Sequence, residues 1–232
     1  MQYAWLIWSL ILLAVWLVVY LSPGSGESKK EMFVVSLWTS LLGLTEPLFV
    51  PEYWSPPSIL DLANRTGFDI ESFLFAFGVG GLAVVIYEGI FRANIKHEHM
   101  GAEEKHHPRH RYHLLAQHSA PIILILLMIF TDLNPIYSTF IALIGGGLFT
   151  WYCRPDLKKK MFVSACIFLG IYFFYFLTLI AMYPGYVERV WNLKAISGIL
   201  ILGIPLEELL FALSFGFIWS SIYEHIAWRK LK

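Results

Sequence analysis

The chain has 232 residues, of which 57% are hydrophobic and 15% are charged, and its mean hydropathy is +0.62. Several apolar runs approach the length of about twenty residues that a helix needs to cross a bilayer. The composition therefore excludes a soluble globular class and predicts a polytopic membrane protein, while a formal net charge of zero gives no reason to expect a nucleic-acid partner.

Seven membrane spans are predicted in chain order. They cover residues 3–21, 32–49, 70–91, 114–130, 136–152, 161–182 and 199–226. The first run has no basic residue before it and no cleavage pattern after it, so we expect a retained span and not a signal peptide. The predicted fold class is all-α integral membrane with about seven transmembrane helices.

Two aromatic connectors and one polar loop separate these spans. The connectors, residues 51–57 and 183–191, combine prolines with tyrosine and tryptophan, which suits a membrane interface. The polar loop, residues 92–113, holds six of the eight histidines. Fourteen Lys and Arg residues fall on the side of this loop and of the C-terminus, against three on the other side. The positive-inside rule predicts a cytoplasmic C-terminus and an external N-terminus.

The sequence also contains an internal duplication at an offset of 136 residues. The aligned pairs are Glu71 and Glu207, Phe75 and Phe211, Tyr87 and Tyr223, and Glu88 and Glu224. Spans one to three then correspond to spans five to seven, and span four is a connector. Three spans and one connector span make an even number of membrane crossings, so both units enter the membrane in the same direction. We therefore expect a parallel repeat. The predicted units are residues 1–91, the histidine-rich loop with the connector span at 92–134, and residues 135–232.

Four glutamates near the external ends of the spans are the candidate catalytic groups: Glu207, Glu208, Glu71 and Glu46. A carboxyl group in hydrocarbon has to face the protein interior, find a partner or stay protonated. Glu207 is the leading candidate because both copies retain it, whereas Glu208 is matched by Ser72. We expect the repeat to bring Glu71 and Glu207 across one cavity; a purely structural hydrogen bond is the competing interpretation.

The other polar groups are predicted to be structural. The Tyr87-Glu88 and Tyr223-Glu224 pairs are interpreted as interfacial anchors whose glutamates reach water. The histidines are predicted to form a solvated basic loop without an essential metal, because they cluster in one segment. Cys153 and Cys166 lack metal-type spacing and are interpreted as unpaired thiols.

The Pro205-Leu206-Glu207-Glu208 motif heads the last span of the duplicated unit and resembles that of the integral-membrane lycopene cyclases. This family includes two-subunit actinobacterial enzymes, fused archaeal forms and the cyclase half of a fungal bifunctional enzyme. The connector around Tyr53 and Trp54, with Trp191 before the final span, is similar to the aromatic connectors of these proteins. The first copy departs from the motif, because it has Ser72 in place of the second acid and no proline.

The resemblance implies a function in carotenoid biosynthesis. Such an enzyme, an isomerase of the intramolecular lyase type, closes the linear end groups of lycopene into rings without redox chemistry, here of the lycopene β-cyclase type. A carboxylic acid supplies a proton, a carbocation closes the ring and a carboxylate removes a proton. The residues expected to bind the polyene are Tyr53, Trp54, Phe75, Trp191, Pro205 and Phe211. Neither cofactor nor metal is expected.

The expected partners are lycopene and membrane lipids, and the expected location is the cell membrane. Other carotenoid-pathway enzymes or a second copy of the chain stay open as protein partners. Three other functional classes also stay open. A non-catalytic carotenoid- or lipid-binding protein would keep the aromatic cavity without needing the acids, a transporter would need polar residues at several depths, and an oxygenase would need the histidines as ligands.

Overall fold

A computed structural model describes residues 2–91 and 97–231. Residues 92–96, at the start of the predicted histidine-rich loop, and the side chains of His97 and Leu231 lie outside the described residues. In the described ranges, seven helical segments are long and apolar enough to cross a membrane. They are Ala4–Leu21, Gly26–Phe49, Ile70–Ile90, Pro108–Phe130, Pro135–Cys153, Pro155–Met182 and Leu206–Ala227. The predicted all-α membrane class is confirmed.

The α-helices are α1 (Ala4–Leu21), α2 (Gly26–Ser40), α3 (Glu46–Phe49), α4 (Leu62–Thr66), α5 (Ile70–Ile90), α6 (Ala102–Lys105), α7 (His113–Phe130), α8 (Pro135–Cys153), α9 (Lys158–Met182), α10 (Tyr186–Val190), α11 (Leu206–Trp219) and α12 (Ile222–Ala227). Four 3-10 helices connect some of them: Leu41–Thr45, Ile59–Asp61, Pro108–Tyr112 and Pro155–Leu157. Two small antiparallel sheets pair β1 (His97–His99) with β4 (Arg229–Leu231), and β2 (Leu200–Ile201) with β3 (Ile204–Pro205).

The surface of the bundle is apolar and several of its charges are internal. Val18 and Phe130 are 66% and 76% exposed, whereas Glu31 and Lys160 are 0% and 3% exposed. Water-soluble proteins almost never bury such charges while leaving large apolar side chains outside. This distribution is what a lipid-facing surface requires.

Small residues allow the helices to approach closely at the centre of the first half. A Cβ atom added to Gly80 of α5 would clash with the side chain of Thr39, and one added to Gly81 would clash with the side chain of Ser36. These glycines therefore let α5 pack directly on α2. In the second half, α11 packs on both α8 and α9, and α7 packs mainly on α8.

The last span begins later than predicted. The apolar run from residue 199 first forms the β2–β3 turn, in which Leu202 and Gly203 have φ values of +52° and +84°. Pro205 then precedes the helix, which starts at Leu206. The prediction of a helix from residue 199 is wrong because hydrophobicity alone does not distinguish a helix from an apolar turn, here one whose residues 199–202 are exposed.

The second span begins earlier than predicted, at Gly26 and not at residue 32. Ser25 caps this helix, since its hydroxyl oxygen accepts a hydrogen bond from the backbone N–H of Ser28 at 3.0 Å. The charged residues that indicated a loop lie within the first turns of the helix. Among them, Glu31 faces the protein interior.

The up-and-down course of the spans gives the bundle two ends. We call one the cavity end, formed by the starts of α1, α5, α8 and α11 with the two aromatic connectors. We call the other the histidine end, formed by the starts of α2, α7 and α9 with α12. Helix α5 begins at Ile70 and α11 begins at Leu206. The distance between these two residues along the chain equals the offset of the sequence duplication.

Candidate active site

One cavity of about 410 Å³ lies within the bundle, and its wall extends from the aromatic connectors to Gln117. All seven membrane-spanning segments contribute residues to its wall, which is mostly apolar and aromatic. Seven of the predicted site residues line it: Glu46, Tyr53, Trp54, Phe75, Trp191, Glu208 and Phe211. Such a volume is typical of a small-molecule site.

Glu208 is the most densely hydrogen-bonded carboxyl group in this wall. Its Oε1 accepts from the Tyr53 hydroxyl at 2.5 Å and from Nε1–H of Trp191 at 2.9 Å. Its Oε2 accepts from the Tyr172 hydroxyl at 2.5 Å. A carboxylate is an acceptor only, and three donors match that requirement in a buried site. The sequence analysis did not identify Tyr172; a tyrosine in the middle of an apolar span was the available signal.

Pairing of the two aromatic connectors holds the donors in place. Trp54 and Trp191 form an antiparallel bridge, and their ring centroids are 5.4 Å apart. The backbone N–H of Asn192 donates to the carbonyl of Tyr53 at 2.9 Å. Burial, followed by the nearby Glu208 charge, raises the pKa of Tyr53 well above its ordinary value. The phenol therefore keeps its proton and acts as a donor at physiological pH.

Glu46 approaches the same cavity from the first half of the chain. Its Oε2 lies 3.0 Å from Oγ of Ser72. The Ser72 Oγ lies in turn 3.1 Å from Oδ2 of Asp69. Oε1 of Glu46 is buried and has no hydrogen-bond partner among the described residues. A serine hydroxyl has one hydrogen and cannot donate fully to both carboxyl groups. Both contacts of the Ser72 hydroxyl are hydrogen bonds when one of the two acids is protonated and donates to it.

Asp69 connects this network to the start of α5. Its Oδ1 accepts from the backbone N–H of Ser72 at 2.5 Å, so it caps the helix. Burial is the main cause that raises the pKa of Asp69 above its ordinary value. Ser72 stands at the sequence position equivalent to Glu208, so the hydroxyl that replaces the second acid contacts an acid from another segment.

Glu71 and Glu207 occupy equivalent positions and make equivalent contacts. Oε1 of Glu71 accepts from the backbone N–H of Ile59 at 2.7 Å, and Oε1 of Glu207 accepts from that of Ser197 at 2.9 Å. Glu207 also accepts from the Tyr137 hydroxyl at 2.8 Å. Each glutamate thus holds the segment that lies between an aromatic connector and its own helix.

Neither of these two glutamates is in the described wall of the cavity, in contrast to the prediction that they meet across it. The reason is helical geometry, since adjacent residues differ by about 100° around the axis. In the second copy, Glu208 and not Glu207 lies on the side of the helix that faces the cavity. Pro205 is not in that wall either; it is buried at the start of α11.

An aromatic cluster that the sequence analysis did not identify closes the first-half side of the cavity. Trp5 lies against Trp54 at 4.7 Å and against Phe75 at 5.0 Å between ring centroids. Trp8 stacks on Tyr175 at 4.2 Å. Trp5 and Trp8 of α1 are almost completely buried and add to the predicted aromatic wall.

The glutamates of the Tyr-Glu pairs do not reach water, so that prediction is wrong. Glu88 and Glu224 are buried, and both contact the ammonium group of Lys160. Glu31 joins the same cluster, with its Oε1 3.8 Å from Nζ of Lys160. Pairing offsets the cost of burying these charges. The cluster lies toward the histidine end, far along the helices from Glu208.

The prediction of a solvated histidine loop is wrong for two of its members. His110 and His113 are buried, and Nδ1 of each lies 3.3 Å from Sγ of Cys153. His99, His106 and His107 are exposed, as expected. The burial could not be foreseen because Cys153 comes from the distant end of α8.

Comparison with known proteins gives one finding on the second half of the chain. Residues 134–226 match a family model described as Lycopene cyclase. This range contains α8, α9 and α11, including Tyr172, Trp191 and Glu208. Neither the curated proteins nor the solved structures contain a match. The second half of the chain is therefore similar to the lycopene cyclase family.

Proposed function

We propose that the chain is a membrane enzyme of carotenoid biosynthesis that cyclises the linear end groups of lycopene. The family match supports lycopene cyclisation in general. The observation that carries the mechanism is the presence of two differently bonded carboxyl groups, Glu46 and Glu208, in one aromatic cavity. Cyclisation needs both an acid and a base, and no net transfer of electrons.

Glu46 is the proposed general acid. Its contact with Ser72 is satisfied when Glu46 carries the proton and donates it to the serine oxygen, while Ser72 donates to Asp69. An acid kept neutral by an apolar site can protonate an alkene. The Glu46 proton adds to the terminal double bond, and the electron pair of that bond forms the new C–H bond. A carbocation results and is attacked by an internal double bond, which closes the ring.

Glu208 is the proposed proton acceptor. Its three donors stabilise a carboxylate at the wall of the cavity. The negative charge of this carboxylate also stabilises the positively charged intermediate. Removal of a ring proton by Glu208 restores a carbon–carbon double bond. One proton has then been added and one removed, so substrate and product are isomers.

The aromatic wall protects and stabilises the cation. Trp5, Trp54, Phe75 and Phe211 provide faces that attract positive charge. The apolar wall excludes water, which would otherwise trap the cation as an alcohol. A hydrocarbon substrate that already resides in the bilayer also suits this wall.

The two carboxyl groups must be reset after each turnover, because Glu46 has lost a proton and Glu208 has gained one. Asp69 contacts Ser72, which contacts Glu46, and this chain provides a path for reprotonation from the cavity end. In this scheme Asp69 and Ser72 position and supply the proton without touching the substrate.

We infer the β type of ring and the intramolecular-lyase class from the family resemblance. The proposed location is the cell membrane, with the cavity end outside and the histidine end in the cytoplasm, because the basic residues are concentrated toward the latter. Labelling of a cysteine placed at Glu103 tests the orientation in intact cells. Reaction of this cysteine with an impermeant reagent added outside the cells would contradict the proposed orientation.

Pigment analysis of lycopene-producing cells that express the chain tests the function. We expect cyclised carotenoids from the parent and a loss of about 10²- to 10⁴-fold in rate from Glu46→Gln and from Glu208→Gln, the usual contribution of a general acid or base. Glu188→Gln, at an exposed position of α10, is the matched control and should behave as the parent. Equal protein in the membrane fraction is required for each comparison.

A non-catalytic carotenoid-binding protein would give a different result in the same cells. Lycopene would copurify with the parent and with both glutamine variants, and no ring would form. That outcome would overturn the enzymatic proposal while leaving the cavity as a binding site.

A further inference from the structure

Three side chains of types that can ligate a metal converge at the histidine end. Nδ1 of His110 and Nδ1 of His113 each lie 3.3 Å from Sγ of Cys153. The three ligand atoms lie within 4.8 Å of one another, and all three residues are buried. Two imidazole nitrogens are thus directed at one sulfur, although His110, His113 and Cys153 come from a 3-10 helix, α7 and the last residue of α8.

The spacing of these atoms fits tetrahedral coordination. Zinc lies about 2.3 Å from a cysteine sulfur and about 2.0–2.1 Å from a histidine nitrogen, which at a tetrahedral angle separates the two ligands by about 3.6 Å. The observed separations of 3.3 Å differ from that value by only a few tenths of an ångström. Binding would require a small outward movement of the two rings.

Hydrogen bonding alone satisfies this group poorly. A thiol has one weak donor, and sulfur is a weak acceptor, so a neutral Cys153 offers little to two buried imidazoles. His225, whose ring centroid is 4.6 Å from that of His113, has a buried Nε2 with no partner among the described residues. His225 is thus a neighbouring buried imidazole whose Nε2 has no hydrogen-bond partner in the described part of the chain, although it does not belong to the group of three convergent ligand atoms.

Neighbouring side chains hold the His113 ring in place. The amide nitrogen of Gln117 lies 2.8 Å from Nε2 of His113 and donates to the backbone carbonyl of His225 at 3.3 Å. Nδ1 of His113 is left facing the sulfur of Cys153. Trp228 stacks on His113 with ring centroids 3.7 Å apart and limits the movement of the ring.

We propose that His110, His113 and Cys153 bind one divalent transition-metal ion of the zinc class. The ion joins the segment that precedes α7 to the end of α8, and thereby fixes the histidine end of the bundle. It is a structural ion, because Glu46 and Glu208 lie at the opposite end. The proposal does not depend on the cyclase activity.

Metal analysis of the purified full-length chain tests the site. The protein is produced with a tag that contains no histidine, in medium with added zinc, and its metals are quantified by mass spectrometry after desalting. We expect about one zinc ion per chain in the parent. Cys153→Ala and His113→Ala should each lower the metal content at least about tenfold. The matched controls, Cys166→Ala and His118→Ala, change exposed residues and should retain it.

A second measurement uses the parent alone, in case the variants fail to fold. Treatment with a chelator should lower the melting temperature in detergent, and added zinc should restore it. Replacement of zinc by cobalt should give the near-ultraviolet absorption of a cobalt–thiolate bond. Metal below about one-tenth per chain in the parent, with no effect of zinc on melting, would overturn the proposal. Metal lost equally from the control variants would indicate adventitious binding only and would overturn it as well.

Discussion

The hydroxyl oxygen of Tyr53 lies 2.5 Å from Oε1 of Glu208, although 155 residues separate the two along the chain. Tyr53 belongs to the first aromatic connector, and Glu208 begins the last membrane-spanning segment. This contact joins the halves of the chain directly at the proposed proton acceptor.

Tyr53→Phe and Tyr172→Phe should each slow cyclisation, because each removes one donor from the Glu208 carboxylate. A hydrogen bond to a charged group contributes about 1.5–3 kcal/mol, so the expected loss is roughly ten- to a hundredfold in rate. The rate of ring formation per unit of membrane protein is the measurement. Tyr152→Phe, at an exposed position of α8, should have no effect. Rates within about twofold of the parent for both variants would show that these phenols do not support the acceptor.

Ser72→Ala should slow turnover by interrupting the contact between Asp69 and Glu46. We expect a decrease of about tenfold, smaller than that of Glu46→Gln because the acid itself remains. Ser214→Ala is the control, since the hydroxyl of Ser214 donates to the carbonyl of Phe211 in its own helix. Steady-state rates measured at several external pH values should show a steeper fall with rising pH for Ser72→Ala. An unchanged pH profile and rate would exclude the relay.

Glu71→Ala and Glu207→Ala should destabilise the protein by about 1–3 kcal/mol each, because the backbone N–H of Ile59 or of Ser197 loses its acceptor. Thermal unfolding in detergent measures this loss. Glu207→Gln keeps an oxygen acceptor for Ser197, and it should preserve both stability and most of the activity. If Glu207→Gln accumulates normally and forms no rings, Glu207 is the acid and our assignment to Glu46 is wrong.

Lys160→Met should strongly reduce the amount of folded protein, because it leaves Glu31, Glu88 and Glu224 buried together without their cation. Loss of one partner from a buried ion pair costs about 3–5 kcal/mol. The exposed Lys159 gives the control variant Lys159→Met. Adding Glu224→Gln to Lys160→Met should recover part of the stability. No recovery in the double variant would show that charge balance is not the role of the cluster.

Leu124→Trp should hinder access of lycopene to the cavity. Helices α2 and α7 both line the cavity, and in the described part of the chain they do not pack closely on each other, so we expect lycopene to enter from the lipid between them. Leu126→Trp places the same bulk on the lipid-facing side of α7, where Leu126 is 48% exposed. Conversion at limiting lycopene should fall for the first variant alone. Equal rates for the two variants would place the opening elsewhere.

The sequence by itself determined the membrane class, the number of spans and the segment that carries the acidic motif. These features are local, because the length of an apolar run and the position of a proline are independent of distant contacts. The start of the last span was misjudged for the same reason, since the residues of the β2–β3 turn are as apolar as a helix.

The tertiary structure decided which carboxyl groups share the cavity. Glu207 and Glu208 are adjacent in sequence, but Glu208 accepts hydrogen bonds from Tyr53 and Tyr172, whereas Glu207 accepts one from the backbone N–H of Ser197. Only the packing of α11 determines this difference. The burial of Lys160 with three glutamates, and the contact of Cys153 with two histidines, likewise join residues from separate segments. Sequence spacing does not fix the rotation of one helix against another, so these contacts depend on how the whole bundle packs.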